Sequence, residues 1–591
     1  MPIVVGIKPQ GVNQVQWPSH LPHLIVLAAP CDAYSTPAPL PDHTAAASHR
    51  HGGPTRQGQP VDAGGCNLFP PSCIPPTDEP ALGHPAAGGV TRPMAHRKDT
   101  MPFRKLFLLL ICFAPIPVSV ALAQDAPESE QARMDRVFQR LGAQFIADGR
   151  ADGVSIAVVR NGQPHFYDFG TTTRGQDKPP TADSVYEIGS VSKVFNALIL
   201  AHAVLEGKIN LQDDIRRYLP GDYPNLAWEG TPVRIVDLVT TTSALPDNLP
   251  NPFPVGADPD KAPFIAIDAM KRITPNQVYD ELKQAKLSRK PGTQTQHSNL
   301  APVLMGRILE KVYGESYQSL VARYIEKPLG MQTGFGKSRE SLEVDGYNKR
   351  HVAMPRMYED AFLMAGGLRY STRDMAKFLT AELKATDPAI RLTQKPAWGD
   401  PGDSAMGLNW VLSRTVENKP RLRMSGSTFG CASYIEMYPA LGYGIILLAN
   451  RPGEAQNELQ DLANRALEEI WGRPPALVAL EHALQEDRYA HASRVIADVK
   501  RKHPELHLSE DFVNTWAYGL LREGRGAQAI GLFRYNAEQW PTSWNAFDSL
   551  AEGYETLGDK PNAIANYRRS LALNPSNTHG AEHLKKLQDG P

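Results

Sequence analysis

Apolar residues recur at helical spacing over 128–149, where Met134, Val137, Phe138, Leu141 and Phe145 share one stripe. Two strand-like runs follow, Val154–Arg160 and Gln163–Gly170, on either side of Asn161-Gly162. An Asn-Gly pair between such runs is a strong hairpin signal, because both residues tolerate positive φ. Farther along, Ser433–Tyr438 and Tyr443–Asn450 read as a further pair of strands around Pro439–Gly442, and residues 454–471 read as a helix. Helices thus flank strands at both ends of 124–472, with a long helical and loop-rich insert between. The pattern predicts an α+β domain: one antiparallel sheet flanked by helices, plus a helical lobe.

From 473 to 591 the pattern is all helix, and it repeats. Phe547, Leu550, Ala551, Tyr554, Ala563, Tyr567 and Pro575 recur as Val513, Trp516, Ala517, Leu520, Ala529, Phe533 and Pro541. A weaker copy ends at Pro504, with Ala492 and Ile496 in place. Period and knob positions are similar to the 34-residue tetratricopeptide unit, so an all-α tetratricopeptide-like array is expected here. Two roles stay open for it: packing on the preceding domain, or offering a concave groove to a protein partner.

The first hundred residues show neither periodicity. They are rich in Pro, Gly, Ala and His, as in Pro70-Pro71-Ser72-Cys73-Ile74-Pro75-Pro76, and carry too little apolar pattern to offset chain entropy. Residues 101–123 then have the layout of a secretory signal peptide: Arg104 and Lys105, an apolar Leu106–Val120, and a small-residue site at Ala121-Leu122-Ala123. Residues 1–100 are therefore expected to be disordered or a misassigned upstream segment. Export to the periplasm or medium is expected after cleavage near Ala123. The alternative is a disordered extension ahead of a membrane anchor, against which stand Pro115, Pro117 and a run shorter than a ~20-residue span. No integral span is expected in the mature chain.

Among 591 residues, 42% are hydrophobic, and 62 Lys plus Arg balance 63 Asp plus Glu. Such balance points away from nucleic acid as a partner. Four of the five cysteines, 31, 66, 73 and 112, precede the cleavage site, leaving Cys431. That excludes an internal disulfide framework and a zinc site of paired cysteines. Cys431 itself is expected to be a small buried hydrophobe.

The chemistry centres on Tyr186-Glu187-Ile188-Gly189-Ser190-Val191-Ser192-Lys193, which leads into a helical run to Glu206. A serine at a helix start lies where the dipole and free N–H groups favour negative charge. Lys193, one turn on, shares its face and can reach the hydroxyl. A lysine serves as base only if its pKa falls toward neutrality, through burial or cationic neighbours.

The octet closely resembles the active-site sequence of class C β-lactamases, with Tyr186 where Phe is usual. Gly207-Lys208-Ile209-Asn210-Leu211-Gln212-Asp213-Asp214, Thr242-Ser243-Ala244-Leu245-Pro246 and Ala365-Gly366-Gly367-Leu368 are also similar to family segments. Of these, Thr242–Pro246 most resembles the segment found in class C-type penicillin-binding peptidases. The resemblance spans roughly 130–472 and implies a β-lactamase/transpeptidase-like fold. It implies further site residues. The family's Tyr-x-Asn falls on His297-Ser298-Asn299, so His297 is expected either to shuttle protons or merely to fill the space, and Asn299 to bind a substrate amide. Lys-Thr-Gly falls on Met424-Ser425-Gly426, with Ser427 next. The N–H groups of Ser190 and Ser427 would then hold the oxyanion, with Gly426 and Ser425 lining the substrate strand. Met424 replaces the family's lysine, which should weaken binding of acidic substrates. Strand alternation sends Arg421 and Arg423 to the opposite face, where they are expected to be solvated.

The resemblance implies a serine hydrolase working through an acyl-enzyme on a β-lactam or a peptidoglycan-derived D-alanyl peptide, with no metal and no organic cofactor. Two alternatives remain open: an esterase of the same fold acting on uncharged acyl compounds, and a catalytically weak binding protein whose repeats engage a partner.

Overall fold

A computed structural model describes residues 128–334, 340–357, 362–453, 455–575 and 577–589. The expected extension at 1–100 and the signal peptide at 101–123 lie outside the described residues. The described chain falls in one compact unit. Among the described residues no helix is long and apolar enough to cross a membrane.

One eight-stranded antiparallel sheet organises the first part. In spatial order its strands are 163–170, 153–160, 443–449, 432–438, 420–427, 411–414, 404–406 and 398–400. The first hairpin turns at Asn161 and Gly162, whose φ values of 51° and 80° suit a tight turn closing right-twisted strands. The central strands are buried on both faces, so their residues split with period two between two cores. Ala157, Val159, Ile435, Met437, Ile446 and Leu448 face the larger core, with helices Ser192–Leu205 and Thr372–Lys384. Val154, Ile156, Tyr434, Ile445 and Leu447 face helices Glu130–Ala147 and Ala455–Trp471. Helix Glu130–Ala147 starts where Ser129 accepts the N–H of Ala132 at 3.1 Å, a side-chain N-cap. The expected α+β architecture, with its helical lobe between the strand pairs, is what the chain adopts.

A small two-stranded sheet positions the Ser190 segment. Val185–Glu187 pairs antiparallel with Arg369–Ser371, Tyr186 opposite Tyr370. The chain then makes a 3-10 turn, Gly189–Val191, and enters helix Ser192–Leu205. That helix is apolar nearly all round and is buried nearly all round, as a central core helix must be.

Residues 475–589 form only helices. Pairs at 510–522/526–539 and 544–556/560–573 repeat at the 34-residue spacing of the sequence, and 475–486/492–502 precedes them. Val513, Trp516, Ala517, Ala529, Phe533, Ala551, Ala563 and Tyr567 form their common core. The array sits against the sheet domain: the N–H of His507 donates to Val416 O at 2.9 Å, and that of Glu510 to the Asp403 carboxylate at 3.0 Å.

Candidate active site

Ser190 sits where two backbones touch. Gly189 has φ +50°, and a Cβ there would lie 2.5 Å from Ser427 N. A Cβ on Gly426 would lie 2.3 Å from Ile188 O and 2.8 Å from Ser190 N. Only glycine at both positions allows the strand 420–427 to reach the Ser190 turn. Ser433 Oγ ties the turn down by donating to Ile188 O at 2.7 Å. On the other side, Ile188 N donates to Leu368 O at 3.0 Å and Leu368 N to Ser192 Oγ at 3.2 Å. Glu187, fully enclosed, accepts from Thr428 Oγ1 at 2.5 Å and from the N–H of Met357; burial pushes its carboxyl up against these bonds.

Lys193 is 4% exposed. Its Nζ lies 2.6 Å from Ser190 Oγ and donates to Asn299 Oδ1 at 3.1 Å. Burial pulls its pKa from 10.5 down to about 8, opposed by the charge of Asp247. Asn409 Nδ2 donates to Lys193 O at 2.9 Å and fixes the helix at that turn.

Asn299 comes from the loop ahead of helix Leu300–Tyr313. Its own N–H and that of Leu300 both donate to Asp247 O at 2.8 Å, and its Nδ2 donates to Asn248 Oδ1 at 3.3 Å. His297 Nδ1 lies 2.7 Å from Asp247 Oδ1, the two side chains being 45% and 48% exposed. Burial raises the Asp247 carboxyl, but the bond and charge of His297, the Asn299 N–H and Lys193 together bring it below its ordinary value. Sequence reasoning did not single out Asp247 and Asn248, although they directly follow Thr242-Ser243-Ala244-Leu245-Pro246; that adjacency was the available signal.

The structure therefore has Lys193 bridge Ser190 and Asn299 and sets the backbones of Gly426 and Ser427 against the Ser190 turn. His297 bonds to Asp247 and contacts neither Ser190 nor Lys193 by a hydrogen bond among the described residues. Ser425 pairs with Tyr434 across the sheet, and its side chain makes no hydrogen bond among the described residues. Ser427 Oγ is occupied elsewhere, accepting the N–H of Gly453 at 3.1 Å, so its backbone is what faces Gly189.

Along strand 420–427, strand 411–414 pairs with 420–423 alone, so residues 424–427 extend past it along the site. Met424 is partly buried against the large core. Arg421 and Arg423 lie on the opposite face, as alternation requires, but Arg421 is not the solvated charge expected. It is buried in an ion pair with Glu436 and reaches Asn464 Oδ1 at 3.3 Å, because helix Ala455–Trp471 covers that face. Arg423 donates to Gln460 Oε1 at 3.3 Å. Just beyond Ser427, Phe429 meets Phe253 edge-on with centroids 6.2 Å apart and packs against Ile267, Met270 and Phe362. Cys431 is buried and free; burial and then the Glu187 carboxylate push its thiol well up, away from reactivity. Among the described residues no group of three or more His, Cys, Asp or Glu could hold a metal ion.

The beta-lactamase family matches residues 134–469, more than half of the chain. The chain belongs to the beta-lactamase family. The chain is 27% identical over 392 residues to D-alanyl-D-alanine-carboxypeptidase/endopeptidase AmpH of Escherichia coli (strain K12), covering 63% of this chain and 98% of that protein. A beta-lactamase of Pseudomonas fluorescens is 25% identical over 342 residues, 51% of this chain and 88% of that protein. Among solved structures, a class C beta-lactamase matches this beta-lactamase-family chain with a TM-score of 0.50 at 21% identity, covering 59% of this chain and 99% of that one. That likeness shows the fold. Membership in the family supports a serine hydrolase.

Proposed function

We propose that the chain transfers acyl groups to water through an acyl-enzyme on Ser190. The observation that carries this is the 2.6 Å approach of Lys193 Nζ to Ser190 Oγ at the leading end of a buried helix. Ser190 Oγ bonds to the substrate carbonyl carbon as its proton passes to neutral Lys193. The oxyanion is held by the N–H groups of Ser190 and Ser427; loss of one such donor costs roughly 10²–10³ in rate. On collapse the bond to the leaving group breaks, and that atom takes the proton from Lys193, directly or by way of His297. Water then attacks the acyl carbon, a base of the site takes its proton and returns it to Ser190 Oγ, and the acid leaves. Asn299 holds the amine and faces the substrate amide.

The substrate class we propose is a β-lactam or a D-alanyl peptide, supported by the similarity to AmpH and to the Pseudomonas fluorescens beta-lactamase. Met424 favours a second reading, an uncharged ester. A thioether offers a carboxylate no partner, and the Phe253–Phe429 contact adds apolar surface after Ser427. The segment 101–123 supports export to the periplasm, and the repeating helices of 473–591 support a tetratricopeptide-like domain following the hydrolase domain of 124–472.

The test is mass spectrometry of the purified chain, wild type and Ser190→Ala, after incubation with a fluorophosphonate, benzylpenicillin and p-nitrophenyl esters. An adduct on Ser190 that is absent from Ser190→Ala supports acyl transfer, and the donor that labels fastest selects the substrate class. Labelling of neither protein by any donor overturns the proposal in favour of a non-catalytic binding protein.

A further inference from the structure

The acyl-transfer reading leaves one side chain of the site without a role: the Asp247 carboxylate. It accepts His297 Nδ1 at 2.7 Å and the Asn299 N–H at 3.1 Å, while its carbonyl takes the N–H groups of Asn299 and Leu300. One residue thus grips the His297 side chain and the Asn299 backbone, and the Asn299 side chain in turn holds Lys193. The charged groups facing it are Lys193 on the nucleophile helix and His297 on the opposing loop.

The chemistry of the pair is specific. An ionised carboxylate only accepts hydrogen bonds, so the imidazole nitrogen facing it must carry a proton. In neutral imidazole the other nitrogen then has a bare lone pair. Nε2 has no hydrogen-bond partner among the described residues, and the half-exposed ring leaves it open to water or substrate. A phenol in place of His297 would need no such control, since it has a single titrating atom. An imidazole has two, and a ring in the wrong tautomer would offer a donor where an acceptor is needed.

We propose that Asp247 is a positioning residue that fixes the His297 proton on Nδ1 and presents Nε2 as the proton acceptor of the site. This rests on the acyl-transfer function above. In deacylation Nε2 takes a proton from the attacking water as the water oxygen bonds to the acyl carbon. The resulting imidazolium, its second positive site held by Asp247, returns that proton to Ser190 Oγ as the acyl–oxygen bond breaks.

The experiment uses the full chain with ¹⁵N-labelled histidine, wild type, Asp247→Asn, Asp247→Glu, His297→Gln and the Asp247→Asn/His297→Gln double variant. The His297 signals are those that vanish in His297→Gln. In the wild type at alkaline pH they should show a protonated Nδ1 and a lone-pair Nε2; in Asp247→Asn the two tautomers should mix. With p-nitrophenyl acetate, Asp247→Asn and His297→Gln should each lower kcat roughly 10²-fold, with KM within about twofold. The double variant should fall no further, because both act through one ring, and Asp247→Glu should recover part of the loss. A wild-type His297 protonated on Nε2, or wild-type kcat in either single variant, overturns the proposal. If Asp247→Asn does not fold, the wild-type tautomer and His297→Gln kinetics decide. Failure of a fluorophosphonate to label wild-type Ser190 would instead defeat the acyl-transfer reading, while the tautomer spectrum would still report on Asp247.

Discussion

Lys193 Nζ stands 2.6 Å from Ser190 Oγ, and the amine is almost wholly out of water. Burial, against the opposing charge of Asp247, sets its pKa at about 8. Only the neutral amine can take the serine proton, so the labelling rate of Ser190 by a fluorophosphonate should climb with pH through about 8 and level off above. A rate flat across that interval would remove Lys193 as the base. The same shift has a stability consequence. The folded value lies below the unfolded 10.5, so between about 8 and 10.5 the unfolded chain binds more protons and stability rises with pH. Lys193→Met should abolish that rise along with the labelling.

Met424 marks where the site departs from a carboxylate-binding one. Lysine has a similar length and can extend its ammonium past the apolar wall into the cleft. Met424→Lys should therefore shift the ratio of benzylpenicillin to p-nitrophenyl butyrate acylation toward penicillin by about tenfold, the equivalent of ~1.4 kcal/mol for one partly solvated ion pair. Paired rate measurements on both donors check this. An unchanged ratio would place the substrate carboxylate away from residue 424.

Local signals make much of this legible in the chain itself. Asn161-Gly162 marks the first hairpin, period-two runs mark strands of the sheet, and Ser190 with Lys193 three residues on marks the hydroxyl and amine that meet in the site. What stays hidden depends on contacts across long sequence distances. Asp247 meets His297 only because Gly292 N and Gln296 N donate to Thr242 O and Thr241 O, folding one loop onto another. Alternation places Arg421 on the correct face but cannot reveal the helix that covers it, since that helix reads from sequence as an ordinary amphipathic one.

Ala244 lies in the left-handed region, with φ +58°, in the loop that delivers Asp247. An L-residue there carries ~1–2 kcal/mol of strain that glycine would not. Glycine forfeits a buried methyl group and adds unfolded-state freedom, together ~1.5 kcal/mol. The terms nearly cancel, so Ala244→Gly should change stability by less than about 0.5 kcal/mol. Ala201, equally buried but inside helix Ser192–Leu205, has no strain to release. Ala201→Gly should cost ~1–2 kcal/mol for the methyl group and helix propensity. Denaturant unfolding of both variants makes the comparison; equal losses would mean that Ala244 is not strained.

The buried pair of Arg421 and Glu436 makes the strongest stability prediction. The Glu436 side chain is 1% exposed and that of Arg421 17%, with Tyr434 OH donating to the same carboxylate at 3.0 Å. Arg421→Met leaves the Glu436 charge with only the tyrosine hydroxyl, and stranding a buried charge costs ~3–5 kcal/mol. The double variant Arg421→Met/Glu436→Gln removes both charges and should recover most of the loss, because much of the single-variant penalty is the stranded carboxylate rather than the pair's net worth. Urea unfolding monitored by tryptophan fluorescence supplies both numbers. A single variant as stable as wild type would mean that water reaches Glu436 and that helix Ala455–Trp471 does not seal this face of the sheet.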